Sequence, residues 1–421
     1  MSKSRRFVAQ ITQPFDFSLH VPASKSIALR QLAISTLCSK PSTLRGFTHN
    51  DDVDAMTNAL SALNVHITTD KSGIVKINPT NLDLTSDIEV DLQMSGVSLR
   101  TVCAIAGLRS GSTTIVGNPS LAARPNDDLL AALTDLGCKV ESKDGKLPIR
   151  IQGPITAEEV SLRTDVSSQF LSALLLIAPY LPHGLTVHLI GELPSKSYVQ
   201  LTLDELRKRG VGAPNLAKSI HIPPTNYEHG TFDLEGDASA MTYHAALATI
   251  HASKVEILNL SRSSNQGDMQ FLGLCSDLGA DVSFTEQSVT IQGPEQLQAL
   301  DTVDMNDFPD SATTLMAIAP FLPKSIRING LETLPRKECD RIACPAQELV
   351  KAGIDVEYGS NYMKINPGSP KRSSFSTYDD HRMAMSFAVL ATKTEGCWIE
   401  DPDCVGKTYP QFWSDVNRAY T

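Results

Sequence analysis

The strongest constraint in this chain is a recurrence. Ser26, Ser98, Ser168, Ser239, Ser311 and Arg382 each stand at the head of a run packed with Ala, Leu and Ile. Their spacing is about seventy residues throughout, too regular for chance. The runs are Ile27 to Leu37, Leu99 to Leu108, Phe170 to Ile177, Tyr243 to Ile250, Thr313 to Ala319 and Met383 to Ala391. Segments that are apolar nearly all round predict helices buried on every side. The polar heads suit helix starts, because Ser and Asp oxygens accept from backbone N–H groups that the helix leaves unpaired.

Two further phrases recur in step with the helices. A strand-like piece follows each run: Leu44-Arg45-Gly46, Thr114 to Gly117, Val187 to Gly191, Val255 to Leu258, Ile326 to Gly330 and Trp398 to Glu400. Small turns come next, at Leu63-Asn64, Leu136-Gly137, Arg209-Gly210, Leu278-Gly279 and Ala352-Gly353. Several of these lead into strand pairs such as Lys139-Val140-Glu141 with Ile149-Arg150-Ile151, and Asp281-Val282-Ser283 with Val289-Thr290-Ile291. Six α/β units could stack as an open solenoid, which needs capped ends. They could equally divide into two groups of three, giving two pseudo-symmetric domains around a cleft.

At 421 residues the chain has room for roughly two or three domains. With 41% hydrophobic and 20% charged residues it is not expected to be disordered, collagenous or a coiled coil. Its eight cysteines are scattered, with no CxxC and no zinc-finger spacing, which reads as reduced thiols of a cytoplasmic protein. The basic start Met1 to Arg6 leads into Gln10, Thr12, Gln13 and Asp16 rather than an apolar signal core. The greasy stretch Leu171 to Leu181 is too short to span a bilayer and contains Pro179.

The formal net charge is -10, from 37 Lys+Arg against 47 Asp+Glu. Nucleic acid and anionic membranes are therefore not expected partners. The cations are nevertheless placed non-randomly. Ser24-Lys25-Ser26 and Arg30, then Gly96, Ser98 and Arg100, then Ser167-Ser168-Gln169, and Asp379-Asp380-His381-Arg382 all fall at heads of the buried runs. Loops after the strands add Arg124, Ser195-Lys196-Ser197-Tyr198, Arg336-Lys337-Glu338-Cys339-Asp340-Arg341 and Lys407. Singly, such a serine is a structural cap and such a lysine or arginine is solvated surface. Recurrence at the same point of each repeat favours function. Helix N-termini, guanidinium forks and hydroxyls together suit a ligand set bearing phosphate and carboxylate. Asp310 and Glu338, lying among these cations, become acid/base candidates. No Walker, dinucleotide-binding or GxSxG pattern occurs, and the histidines show no metal-binding spacing.

The motifs Pro22-Ala23-Ser24-Lys25-Ser26, Arg124-Pro125, Val166-Ser167-Ser168-Gln169-Phe170, Gly236-Asp237-Ala238-Ser239, Gln266-Gly267-Asp268, Pro309-Asp310, Arg336 to Arg341, Asp380-His381-Arg382-Met383-Ala384-Met385 and Lys407-Thr408 resemble those of the 5-enolpyruvylshikimate-3-phosphate synthase family. The resemblance covers essentially the whole chain, in order and spacing. It implies an α/β fold, the two-domain inside-out α/β barrel of enolpyruvyl transferases, with six βαβαββ-type repeats. One domain would be 21–233, on the shikimate phosphate side. The other would combine 1–20 with 234–421, and the site would lie in the cleft.

The resemblance also implies the reaction, enolpyruvyl transfer from phosphoenolpyruvate to the 5-hydroxyl of shikimate 3-phosphate with release of phosphate. It implies no cofactor, no metal, small-molecule partners only and a monomer. By matched position Lys25, Ser26, Arg30, Ser167, Ser168, Gln169, Ser195, Tyr198, Asp310 and Lys337 would hold shikimate 3-phosphate. Lys25, Gly96, Arg124, Gln169, Arg341, Arg382 and Lys407 would hold phosphoenolpyruvate. Lys25, Asp310 and Glu338 would be catalytic, Asp310 taking the hydroxyl proton and Glu338 exchanging protons at the methylene carbon. Three rivals stand beside this reading. The cell-wall sibling, which acts on a UDP-amino sugar, carries a Cys before its Arg-Pro, and Asn118 to Ala123 has none. A transferase acting on another phosphorylated ring alcohol and a non-catalytic binding homologue are the others.

Some positions depart from the family pattern. Met94-Ser95-Gly96-Val97 stands where the family usually has Asn-Ala-Gly-Thr, Leu29 where it usually has Asn, and Asp379 where it usually has Asn. The lost Asn and Thr lie on the phosphoenolpyruvate side. Phosphoenolpyruvate is therefore predicted to bind more weakly than is usual in the family, and inhibition by glyphosate, which takes that subsite, to be altered. Steady-state kinetics showing an ordinary KM and ordinary inhibition would refute this.

Overall fold

The computed structural model describes residues 4–79 and 85–421. Met1, Ser2 and Lys3 of the basic start lie outside the described residues. The chain divides into two compact units: a continuous one, Ala23–Leu234, and a split one, Met1–Pro22 with Glu235–Thr421.

Each unit is organised around three of the apolar runs. In the continuous unit these are α1 (Lys25–Thr36), α2 (Gly96–Ala106) and α3 (Ser168–Ile177). In the split unit they are α4 (Ala238–Ile250), α5 (Ala312–Ile318) and α6 (His381–Thr392). Nearly every residue of all six is buried. Within each unit the three helices pack on one another. Small residues such as Ala240, Ala245 and Ala248 in α4, and Ala384, Ala388 and Ala391 in α6, suit such close contact.

The sheets are small and lie outside the helices. In four of the six repeats a parallel pair of strands flanks the buried helix in sequence, as Ile88–Asp91 and Thr113–Val116 flank α2. An antiparallel hairpin or single strand then adds to the second strand, as Lys139–Lys143 and Lys146–Gln152 do. Strand burial alternates; Glu159–Arg163, for example, buries only Val160 and Leu162. One face covers the helices and the other meets water. The opening strands Ile88–Asp91, Glu159–Arg163, Thr302–Asp304 and Ser374–Phe375 supply the first β of four repeats.

Two of the repeats borrow that opening strand. Asp16–Leu19 precedes α1 in sequence but pairs with Lys254–Ile257 of the split unit. Thr231–Asp233 precedes α4 but pairs with Ser42–Arg45 of the continuous unit. The returning segment is anchored by Arg209, which is fully buried. Its guanidinium donates to Gln31 Oε1 at 2.8 Å, to Ser42 Oγ at 3.2 Å, to the Glu228 carbonyl at 2.7 Å and to Ser35 Oγ, and it lies over the Phe232 ring.

The hairpins close tightly onto the ends of the buried helices, and here the repeat demands glycine. Ile151-Gln152-Gly153-Pro154 recurs as Ile291-Gln292-Gly293-Pro294. A Cβ on Gly153 would collide with the Gly107 carbonyl oxygen, and one on Gly293 with that of Ala248. Gly293→Ala is expected to cost about 1–3 kcal/mol, the usual penalty for overpacking. Gly273→Ala is the control. That glycine lies inside the helix Gln270–Asp277, and a Cβ there meets nothing within 4 Å. Its alanine variant should hold or raise stability by up to about 1 kcal/mol. Urea midpoints of the two variants check both expectations.

Candidate active site

Helices buried along their length leave only their ends to polar side chains, and the sequence-selected residues gather there. In the continuous unit Ser24 caps α1, accepting from the Ile27 N–H at 3.5 Å. Lys25 follows, with its Nζ 3.1 Å from Asp52 Oδ2. Asp52 is itself buried in the first turn of the helix Asp51–Ala62. Arg30 donates from Nη1 to the Ser26 carbonyl at 2.8 Å, from Nη2 to the Tyr198 carbonyl at 2.9 Å and from Nε to Thr202 Oγ1 at 2.8 Å. Ser26, Arg30 and Tyr198 are thus one cluster. Tyr198 belongs to a helix, Lys196–Arg207, entered through Ser195 in left-handed backbone with φ 52°. Burial lowers the Arg30 pKa to about 10 although Glu205 and Tyr198 oppose it.

The head of α2 is built differently. A Cβ on Gly96 would lie 2.8 Å from Arg124 Nη1, 2.9 Å from Arg100 Nη1 and 3.8 Å from Gln169 Oε1. A side chain there would displace both guanidinium groups from where they lie. Arg100 donates to the Gly96 carbonyl at 3.0 Å and to the Pro125 carbonyl at 3.1 Å. Burial first, and the neighbouring Arg124 charge second, pull its pKa down to about 9. Ser95, the residue before the helix, turns its hydroxyl to Ser98 Oγ at 2.7 Å and makes no side-chain cap. Met94 and Val97 flank this turn half-buried. At the head of α3, Ser167 accepts from the Gln169 N–H at 3.2 Å, and Ser168 is buried beside it. Two like-charged forks beside a helix N-terminus are stabilised by an anion.

In the split unit the corresponding ends form one ion network. Asp310 sits in a 3-10 turn, Pro309–Ser311, leading into α5. Its Oδ1 lies 3.2 Å from Lys337 Nζ and 3.3 Å from Arg341 Nη1, and its Oδ2 lies 2.8 Å from Arg382 Nη2. Glu338 meets Arg341 Nη2 at 2.7 Å and Lys407 Nζ at 3.7 Å. Arg341, only 2% exposed, also grips Asp380 through Nε at 2.7 Å and Nη2 at 3.1 Å. Burial alone disfavours the Arg341 cation, but Asp380, Glu338 and Asp310 more than offset it and raise its pKa above the ordinary guanidinium value. Asp380 also caps α6, accepting from the Arg382 N–H at 2.9 Å. Arg382 Nη1 reaches Tyr243 OH at 3.3 Å. Asp310, Lys337, Glu338, Arg341, Arg382 and Lys407 are therefore together.

The sequence reading placed several helix heads two or three residues late. Ser98, Ser239 and Arg382 lie inside the first turn, and the residues preceding these helices are Ser95, Asp237 and Asp380. It gives no role to Asp52, Thr202, Tyr243 or Asp268, and names Arg100 only among the cations at the helix heads. Asp380 and Asp268 carried a usable signal, an acidic residue inside a matched motif. Asp52, Thr202 and Tyr243 look like ordinary helix residues until the fold supplies their partners. Among the described residues no group of three or more His, Cys, Asp and Glu could hold a metal ion. No described helix is long and apolar enough to cross a membrane.

Comparison with known proteins gives the family and the fold. A family model for EPSP synthase (3-phosphoshikimate 1-carboxyvinyltransferase) matches residues 9–416. The 3-phosphoshikimate 1-carboxyvinyltransferase of Shewanella amazonensis is 35% identical over 411 residues, covering 94% of both chains. The enzyme of the same name from Trichormus variabilis is 32% identical over 414 residues, covering 97% of both. Among solved structures, EPSP synthase from Acinetobacter baumannii superposes with a TM-score of 0.81 at 19% identity, covering 99% of this chain and 98% of that one. The enolpyruvyl transferase NikO from Streptomyces tendae gives 0.78 at 15% identity, with coverage of 99% and 98%. These structures share the fold, an α/β enolpyruvyl transferase architecture.

Arg341 holds three carboxylates, and its removal leaves them facing one another. Arg341→Met is expected to destabilise the protein by about 3–5 kcal/mol, the cost of breaking a buried ion network. Denaturant melts of both proteins at neutral pH measure it.

Proposed function

The chain belongs to the EPSP synthase family, and from that premise we propose how its residues carry the enolpyruvyl group of phosphoenolpyruvate to the 5-hydroxyl of shikimate 3-phosphate. Ser26, Arg30, Ser167, Ser168, Gln169, Ser195, Tyr198 and Lys337 bind the shikimate phosphate and ring, with Lys25 and Asp310 contributing. Gly96, Arg124, Gln169, Arg341, Arg382 and Lys407, again with Lys25, bind phosphoenolpyruvate. Two anionic substrates repel each other, and dense cations offset that repulsion so that they can be held in reacting order.

The reaction proceeds by addition and elimination. The 5-hydroxyl oxygen bonds to C2 of phosphoenolpyruvate while its proton passes to Asp310. Glu338 delivers a proton to the methylene carbon, making a methyl group and a tetrahedral adduct. Glu338 then takes one proton back from that methyl group as the C2–O bond to phosphate breaks, which restores the double bond. Lys25 is a further proton-handling group. The surrounding cations stabilise the charge of adduct and leaving phosphate. In this reading the enzyme is a cytoplasmic monomer that needs no cofactor and has no nucleic-acid partner.

The observation that most supports the reading is that Asp310 and Glu338 share one cation, Arg341, at 3.3 Å and 2.7 Å. Acid and base are thereby kept within one rigid charge network. The test is phosphate release with shikimate 3-phosphate and phosphoenolpyruvate. Turnover is expected, and Glu338→Gln should lower kcat by about 100-fold or more, as loss of a general acid/base does. Binding of both substrates by calorimetry without turnover would favour a non-catalytic homologue. Turnover only with another phosphorylated ring alcohol would reassign the acceptor.

A further inference from the structure

The motif Gln266-Gly267-Asp268 has no part in the reading above, yet it ends beside Asp310. Gln266 is buried and staples the start of α4. Its Nε2 donates to the Gly236 carbonyl at 2.7 Å, and its Oε1 accepts from the Ala238 N–H at 3.1 Å. Asp268 carries that grip to a second helix. Its Oδ2 accepts from Ser239 Oγ at 2.7 Å, and its Oδ1 accepts from Ser311 Oγ. Ser239 lies in the first turn of α4. Ser311 is the last residue of the 3-10 turn that carries Asp310. One buried carboxylate therefore ties the heads of two central helices, and the tie ends one residue from the proposed base.

We propose that Asp268 is a positioning residue for Asp310, fixing the turn Pro309–Ser311 through Ser311 and placing a second negative charge behind the base. The inference rests on the reading of Asp310 as the group that takes the hydroxyl proton. Both Asp268 oxygens act as acceptors toward hydroxyls, as suits an ionised carboxylate. The charged groups facing Asp268 include Asp310 and Arg382. Those facing Asp310 are Lys337, Arg341 and Arg382, besides Asp268. Burial, and then Asp310, raise the Asp268 pKa. Repulsion between two carboxylates is mutual, so Asp268 must oppose the charge on Asp310 as well. Three cations alone would make Asp310 a poor proton acceptor, and the charge behind it restores basicity.

Asp268→Asn removes the charge while keeping size and one acceptor oxygen. Ser311→Ala removes the tie while keeping the charge. For Asp268→Asn the expected result is a fall in kcat of about 10- to 100-fold, the scale of a misplaced catalytic group. Both KM values should change less than kcat, and the acid limb of the kcat–pH profile should move to lower pH. For Ser311→Ala a smaller fall in kcat is expected, with the acid limb unmoved. A wild-type kcat in Asp268→Asn overturns the inference. So does a kcat loss with an unmoved acid limb and a lowered melting temperature, which marks a purely structural tie. Asp310→Asn separates the two claims. If that variant turns over normally, the reading of Asp310 has failed; if it is inactive while Asp268→Asn is normal, only the present inference has failed.

Discussion

Everything in this protein depends on helices that are apolar around their whole circumference. Such a helix has no face to give to water, so it must be enclosed. In each unit three of them pack together and the small sheets wrap them, one face of each strand turned inward. The sides of the helices are then unavailable for chemistry. Only their ends remain, and the N-terminal ends bring unpaired N–H groups and partial positive charge. The polar residues heading the repeats thus serve two purposes. They begin a buried helix, and they furnish the part of it that a ligand can reach.

The two units solve the problem of concentrated cations differently. In the split unit, cations and carboxylates alternate. Arg341 binds Asp310, Glu338 and Asp380, while Lys337, Arg382 and Lys407 close the network from outside. Charges held this way are oriented before any substrate arrives, which is the condition for electrostatic catalysis. In the continuous unit the guanidinium groups of Arg30 and Arg100 are held chiefly by backbone carbonyls, and that of Arg124 lies close to Gly96 beside Arg100. The depressed pKa of Arg100, about 9, expresses burial first and the like charge of Arg124 second. An anionic ligand offsets that like charge. The net charge of -10 is therefore a property of the whole chain and says little about these ends.

Much of this was legible beforehand, for identifiable reasons. The buried helices announce themselves because their composition and spacing are local properties. The hairpins do so as well, since both strands lie close in sequence. The opening strands are harder to see. Thr302–Asp304 has three residues and Ser374–Phe375 two, and each gains its partner only in parallel across an intervening helix. The exchange of Asp16–Leu19 and Thr231–Asp233 is less visible still, because pairing there contradicts order along the chain. The site shows the same division. Lys25, Arg30 and Arg341 stand out by type and position, whereas Asp52, Thr202 and Tyr243 are ordinary helix residues until their partners are seen.

The sequence by itself determined the repeat, the burial of its six helices and the residue types at their heads. It did so because periodicity and composition act over one or two helical turns. The tertiary structure alone decided which heads share an ion, since segments far apart in sequence meet only when the cores form. Asp310, Arg341, Asp380 and Arg382 become one network through such meetings, and so do Gly96, Arg100 and Arg124. The free energy of a charge depends on what lies within a few ångströms of it, and that distance is set by packing.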